Sequence, residues 1–229
     1  MSHEFTLVAD YPDFLVVDKA AGVNFHDEDN LGQGLFNLVK AQLKQSELYP
    51  VHRLDKMTSG LVIFAKSLSS AQAFQQMFAA HQVEKYYLAL SDKKPNKKQG
   101  LIKGDMAKSR RGSWKLLRTT ENPAISQFFS YALGGGKRLY VVKPHSGKTH
   151  QIRVALSSIS APILGDSHYY PQPNSDRGYL HAYALRFSLN NEEFSFICPP
   201  SSGQEFVQAD FSNKLLDIGP PWLLSWPKL

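Results

Sequence analysis

The stretch His52–Lys66, HRLDKMTSGLVIFAK, constrains the fold more than any other part of this 229-residue chain. Polar residues fill most of its first half, and an unbroken apolar run from Leu61 to Ala65 follows. A short apolar run bounded by turn residues is typical of a buried strand. Functional residues often collect in loops at the ends of such elements. The sequence therefore predicts a buried strand, preceded either by a simple polar turn or by part of a site.

Apolar patterns elsewhere predict strands joined by hairpins, with helices between them. Gly134–Gly136 and Asn190–Asn191 lie between pairs of strands, as hairpin turns do. This arrangement indicates an α+β domain on a mixed or mainly antiparallel sheet. We expect the tail, residues 210–229, to pack on the body of a single domain. The predicted strands are 14–17, 61–65, 84–90, 128–133, 139–143, 183–189 and 194–197; the predicted helices are 34–47, a helix capped by Ser69 or Ser70, and 150–158.

Basic residues are concentrated between Lys93 and Arg118, a stretch that we call the basic segment. It holds ten lysines and arginines and one acid, Asp105, so its net charge is +9. The rest of the chain, with 16 basic and 19 acidic residues, carries −3. Such a cluster is typical of proteins that bind a polyanion, because neutralised phosphates release counterions. A solvated lysine-rich loop would have the same charge, and Trp114 favours the binding surface.

Several protein classes are not indicated. No apolar run approaches the roughly 18 residues of a membrane span, and the N-terminus lacks a signal-peptide pattern. Gly147-Lys148-Thr149 resembles the end of a P-loop, but Val142 stands where that motif needs glycine. The chain has no G-x-G-x-x-G, no G-x-S-x-G and no H-E-x-x-H, and its one cysteine, Cys198, forms no cluster. We therefore predict a cytoplasmic protein without a metal site.

An aspartate with an arginine is the combination that remains. Asp55 lies beside the predicted buried strand, where an isolated carboxylate would be costly. Arg153, on the polar face of the predicted helix 150–158, could supply a bidentate partner. Such a partner would keep the carboxylate ionised and available as a nucleophile. A buried ion pair that only ties strand to helix is equally compatible with these residues.

The chain resembles the RluA-type pseudouridine synthases in a series of ordered motifs. HRLDKMTSG matches their aspartate-bearing motif, H-R-L-D-x-x-T-S-G. The resemblance covers about residues 14–196, nearly the whole chain, and the ordered set is highly specific. The other matching stretches are FLVVDKAAGV (14–23), KYYLA (85–89), SGKTHQIRV (146–154), PILGD (162–166) and LHA (180–182).

This resemblance implies isomerisation of uridine to pseudouridine in ribosomal or transfer RNA, with base flipping and without a metal or organic cofactor. The implied fold is a single catalytic domain on a mixed, mainly antiparallel sheet with flanking helices and a central cleft. Asp55 would be the essential aspartate, Tyr87 the active-site tyrosine, and Arg153 the partner of Asp55. We expect a monomer, with Arg53 filling the gap left by the flipped base. The expected RNA-facing residues are His52, Arg53, Thr58, Lys85, Lys108, Arg110, Arg111, Lys148, Thr149 and His150.

The chain departs from the family pattern outside the expected catalytic trio. Met57 stands where an acidic residue is common, and Ser146 and Lys148 replace the usual threonine and arginine. These changes leave the shape of the RNA-facing rim open. No S4-type RNA-binding domain precedes the first motif, so we expect the catalytic domain and the basic segment to find the RNA. The alternative is a non-catalytic RNA-binding or ribosome-assembly factor of the same fold.

Overall fold

A computed structural model of the protein describes residues 4–27, 31–172 and 174–229. Its contacts divide the chain into two compact units. Unit 1 comprises residues 1–84 and 184–198, and unit 2 comprises residues 85–183 and 199–229. Within the described ranges, none of the helices has the length and apolar character needed to cross a membrane.

Twelve strands and four α-helices are found among the described residues. In chain order they are β1 (Phe5–Asp10), β2 (Phe14–Lys19), α1 (Leu35–Gln42), β3 (Tyr49–Pro50), β4 (Ser59–Ala65), α2 (Leu68–Ala79), β5 (Glu84–Ser91), β6 (Gln99–Gly104), β7 (Met106–Lys108), β8 (Trp114–Leu116), β9 (Ala124–Ala132), β10 (Arg138–Pro144), α3 (Gln151–Ser158), β11 (Leu180–Leu189), β12 (Glu192–Ile197) and α4 (Ala209–Ile218).

Unit 1 contains antiparallel strands packed against helix α2. β2 pairs with β1 and with β4, and β12 forms the predicted hairpin with β11. Every residue of β4 is buried, which confirms the strand predicted from its apolar run. The rings of Phe14, Phe74 and Phe187 meet edge to face, with centroids 5.4 to 5.6 Å apart, at the centre of this core.

Unit 2 contains β5, which carries the KYYLA motif, and the antiparallel strands beside it. β10 pairs with β5 and β9, and β6 pairs with β9, all antiparallel. β7 and β8 form a separate hairpin within the basic segment. In the tail, the Trp226 ring lies 5.8 Å from Tyr86 and 5.0 Å from Phe129. The α+β class and the mainly antiparallel pairing are therefore confirmed.

The ends of the helices differ from the predictions. α1 ends at Gln42 rather than at residue 47, because Lys44 adopts a left-handed conformation with φ of 51°. Ser67, not Ser69 or Ser70, caps α2, and its hydroxyl accepts a hydrogen bond from the Ser70 amide at 3.1 Å. Neighbouring serines have the same capping chemistry, so the sequence alone does not separate them.

Candidate active site

Asp55 opens a tight turn that ends at Thr58, directly before β4. The amide of Thr58 donates a hydrogen bond to the Asp55 carbonyl at 3.0 Å, and the strand begins at Ser59. Asp55 is half-buried, whereas Thr58 is buried. The polar half of the opening stretch is thus a compact turn that sets Asp55 beside a rigid strand.

A buried lysine holds this turn in place. The side chain of Lys19, at the end of β2, is fully buried, and its Nζ donates hydrogen bonds to three carbonyls. They belong to Ala20 at 2.9 Å, Val23 at 2.8 Å and Lys56 at 3.2 Å. The amide of Gly22 also donates to the Lys56 carbonyl, at 2.8 Å. Because a buried ammonium group needs such acceptors, Lys19 fixes the loop after β2 against the aspartate turn.

The other residues expected to face RNA in unit 1 lie in different environments. His52 Nε2 accepts a hydrogen bond from the Ile63 amide at 2.9 Å, so this nitrogen is bonded to β4. The His52 ring also packs on Phe78, with centroids 5.0 Å apart. Arg53 is exposed, and the buried Thr58 would reach RNA only if its turn moved. RNA contacts by these residues remain predictions.

Tyr86 and Tyr87 point to opposite faces of β5, because side chains alternate along a strand. Tyr86 is buried, and its ring lies near Trp226 and 5.2 Å from Nζ of Lys143. Tyr87 shares the other face with Lys85, and both are half-buried. Burial lowers the pKa of Lys85. Tyr86 is thus committed to packing against the tail, while the catalytic role of Tyr87 remains a prediction.

Arg153 is buried in α3, which corrects the expectation that it lies on a polar helix face. Only 4% of the residue is exposed, and its Nε and Nη2 donate to the two carboxylate oxygens of Asp166 at 2.7 and 2.8 Å. Asp166 is fully buried and also accepts from the amides of His168 at 3.0 Å and Tyr169 at 3.2 Å. A buried arginine is tolerated here because the bidentate pair neutralises it. Asp55 belongs to unit 1, so its pairing with Arg153 stays a prediction.

Gln151 organises the loop that leads into α3, which begins at this residue rather than at His150. Its Oε1 accepts from the Ser146 hydroxyl at 2.8 Å and from the Lys148 amide at 3.1 Å. Its Nε2 donates to the Ile125 carbonyl at 3.0 Å. The sequence shows no sign of this role beyond the place of Gln151 in the SGKTHQIRV motif, because its side-chain amide bonds to residues from separate segments.

The residues expected to contact RNA from this loop are partly committed to other bonds. His150 is the N-cap of α3 in a left-handed conformation, with φ of 58°. Lys148 Nζ donates to the Asn122 carbonyl, and Thr149 is exposed. His150 Nδ1 lies 3.1 Å from the Tyr169 hydroxyl.

The loop that carries Asp166 is anchored by Tyr179. The Tyr179 amide donates to the Leu164 carbonyl at 2.9 Å, and its hydroxyl donates to Asp176 and accepts from the Glu205 amide at 3.1 Å. Gly165 has φ of +72°, and an added Cβ would lie 2.0 Å from a carbonyl oxygen. The glycine of the PILGD motif is therefore required by space as well as by conformation.

The buried hydroxyl of Tyr179 predicts a loss of stability in alkali. Burial and the Asp176 hydrogen bond raise the pKa of Tyr179 from 10.0 to about 12. A raised folded-state pKa gives stability that is fully present below pH 10.0 and is lost as the pH rises towards about 12. In urea unfolding across this range, Tyr179→Phe should show a shallower decline than the wild type. Tyr49→Phe, a control at an exposed hydroxyl, should keep the wild-type slope; equal slopes in all three proteins would contradict the prediction.

The β7–β8 hairpin carries the central residues of the basic segment. The Ser109 amide donates to the Ser113 carbonyl at 2.8 Å across its tip, where Arg111 adopts a left-handed conformation with φ of 53°. Lys108, Arg110 and Arg111 are all exposed. The basic residues that are expected to contact RNA here thus lie at and beside the tip of a regular hairpin.

The model of the RNA pseudouridylate synthase family matches residues 13–158, which is more than half of the chain. The chain belongs to this family. The matched range includes the Asp55 turn, Tyr87 and Arg153, whereas Asp166 and Tyr169 lie beyond it. The resemblance drawn from the motifs and the assignment to an isomerase that acts on uridine in RNA are therefore confirmed.

Similar proteins carry the same description. A Haemophilus influenzae protein described as an uncharacterized RNA pseudouridine synthase is 47% identical over 206 residues, covering 90% of this chain and 92% of its own. Ribosomal large subunit pseudouridine synthase C of Haemophilus ducreyi is 28% identical and matches 89% of this chain but 65% of its own. The solved structure of human RNA pseudouridylate synthase domain containing 4 is 26% identical, with a TM-score of 0.69 over 88% of this chain and 90% of its own.

Proposed function

We propose that this pseudouridine synthase isomerises specific uridines in ribosomal or transfer RNA, with Asp55, Tyr87 and Arg153 as its catalytic residues. The observation that carries the assignment of Asp55 is its turn, which is fixed to β4 and anchored by the buried ammonium group of Lys19. The Haemophilus ducreyi relative is named for the large ribosomal subunit, which favours ribosomal RNA as the first substrate to test. We infer that the protein acts as a monomer in the cytoplasm.

The reaction balances without an external reagent. The N1–C1′ bond breaks, the uracil turns, and C5 bonds to C1′; C5 then loses its proton while N1 gains one. Asp55, as a carboxylate, either bonds to the nucleotide or stabilises positive charge on the sugar. Arg153 would pair with that carboxylate and orient it, and Tyr87 would stack on the uracil and take part in proton transfer. The target base must first leave its stack, at a cost of a few kcal/mol.

Mapping of pseudouridines in cells with and without the gene tests the substrate assignment. We expect one or more positions in ribosomal or transfer RNA to lose pseudouridine in the deletion strain and to regain it with the wild-type gene. A gene carrying Asp55→Asn should not restore them. If the protein were a non-catalytic assembly factor, this variant gene would restore them as well as the wild-type gene does. If no position in either RNA class depends on the gene, the proposed substrate is wrong.

The basic segment should contribute a salt-dependent part of RNA affinity. Reversing both charges at the hairpin tip, with Arg110→Glu and Arg111→Glu, should weaken binding and flatten the plot of log affinity against log salt. The slope should fall by about 1 for each phosphate that the tip no longer neutralises. The exposed pair Lys40→Glu and Lys44→Glu in unit 1 is the matched control. Equal slopes for the tip variant and the wild type would mean that the tip does not bind phosphate.

A further inference from the structure

Tyr169 contacts three parts of unit 2: the β7–β8 hairpin, the loop before α3 and the arginine of α3. Its hydroxyl accepts a hydrogen bond from the Trp114 amide at 2.7 Å. The same hydroxyl lies 3.1 Å from His150 Nδ1 and can donate its own proton there. Its ring covers Arg153, with the guanidinium carbon 5.2 Å from the ring centroid. One side chain therefore joins the hairpin, the loop before α3 and the buried arginine.

We propose that Tyr169 is a positioning residue that couples RNA contact at the β7–β8 hairpin to the placement of Arg153. The inference rests on the proposed function, because that function assigns Arg153 to catalysis and the hairpin to RNA binding. It adds a residue outside the matched family range and outside every motif that carried the resemblance.

The hairpin end of this connection is a backbone bond. Trp114 is the first residue of β8 and directly follows the tip that carries Arg110 and Arg111. Its amide belongs to the backbone of the hairpin, so a rearrangement of the tip on RNA would move that amide. Near the same tip, an added Cβ at Gly112 would lie 4.0 Å from Nε2 of His168, the residue before Tyr169. The hairpin and the loop after Asp166 are thus joined by the Trp114–Tyr169 hydrogen bond, and Gly112 lies near the same loop.

The arginine end holds the guanidinium on two sides. Asp166 binds its Nε and Nη2 edge, and the guanidinium carbon lies over the Tyr169 ring. The amide of Tyr169 also donates to Asp166 at 3.2 Å. A shift of Tyr169 would therefore change both the cation–π contact and the carboxylate that orients Arg153. The planar guanidinium is sensitive to such shifts because its hydrogen bonds depend on orientation.

Two substitutions separate the hydroxyl from the ring. Tyr169→Phe keeps the ring over Arg153 and removes the acceptor for Trp114, so we expect KM for RNA to rise about fivefold with kcat within about twofold of wild type. Tyr169→Leu removes the ring as well, and kcat should fall by at least about tenfold. Tyr131→Phe is the matched hydroxyl control, because its ring stacks on Phe129 in β9 and takes part in none of the contacts described above, and both constants should be unchanged.

A double-mutant cycle on RNA affinity tests the coupling itself. In the wild-type background, Tyr169→Phe should weaken RNA binding about fivefold. In the background of Arg110→Glu with Arg111→Glu it should leave binding unchanged, because a hairpin tip that does not bind RNA no longer depends on the Trp114–Tyr169 hydrogen bond. The same fold-change in both backgrounds, or unchanged binding in the wild-type background, would overturn the proposal. The dissociation constants are measured by RNA titration at one salt concentration, so the cycle does not depend on catalytic activity. A wild type that binds RNA without isomerising uridine would therefore refute the proposed function and leave this result readable.

Discussion

We expect Asp55→Asn to abolish pseudouridine formation while RNA affinity stays within about threefold of wild type. Asparagine has nearly the same shape, so the turn that ends at Thr58 and the anchor from Lys19 should persist. The substitution removes the negative charge that must attack the nucleotide or stabilise the developing cation. Loss of such a group commonly costs a factor of about 10⁴ or more in rate. The rate and the affinity are measured on the same RNA at the same salt concentration.

Asp10→Asn is the control for this experiment. Asp10 also lies in unit 1, but it is partly exposed and pairs with Lys66 at 2.7 Å. We expect its substitution to leave both rate and affinity unchanged. Substantial isomerisation by Asp55→Asn would show that another group carries the reaction. Loss of RNA binding with a normal unfolding curve would show instead that Asp55 serves mainly to hold the substrate.

Asp166→Asn should destabilise the protein and reduce its activity together. The wild-type pair joins Arg153, 4% exposed, to a carboxylate with no exposed surface. Neutralising Asp166 removes the bidentate carboxylate from the buried guanidinium of Arg153, and breaking a buried pair in this way typically costs about 3–5 kcal/mol. The free energy of unfolding is measured by urea denaturation, and the rate is measured at a temperature where the variant is folded.

The double variant Arg153→Met with Asp166→Asn separates stability from catalysis. Methionine removes the buried charge, and the asparagine oxygen can still accept from the amides of His168 and Tyr169. We expect most of the stability to return while isomerisation is lost, because the double variant lacks the Arg153 guanidinium. Activity that returns with stability would show that Arg153 only ties the fold together. An Asp166→Asn protein as stable as the wild type would contradict the buried ion pair.

The parts of the fold that sequence reasoning predicted well are those set by local pattern. The apolar run of β4 permits little besides a buried strand. The hairpin between β11 and β12 follows from Asn190 and Asn191, which both adopt positive φ values, 53° and 64°. Asparagine accepts that conformation more readily than most residues, which makes such a pair a specific turn signal. The turn at Asp55 is also a local feature, because polar turn residues directly precede the apolar run of β4.

The parts that could not be predicted depend on contacts between distant residues. Arg153 and Asp166 are thirteen residues apart, and only the fold of the loop after α3 brings them together. Lys19 ends a strand, where lysine is usually solvated, so its burial beneath two loops has no sequence signal besides its place in the first motif. Tyr169 lies outside every motif that was recognised. Its role depends on three partners from separate segments, Trp114, His150 and Arg153.

Release of tritium from RNA that carries uridine labelled at C5 is the most direct test of the central claim. The C5–H bond must break once C5 has joined C1′, so release counts isomerisation events. The purified wild-type protein should release tritium from transcripts containing the positions that depend on the gene, in an amount equal to the pseudouridine found after digestion. Asp55→Asn should release none above background. A folded wild-type protein that binds these transcripts and releases no tritium would contradict the account.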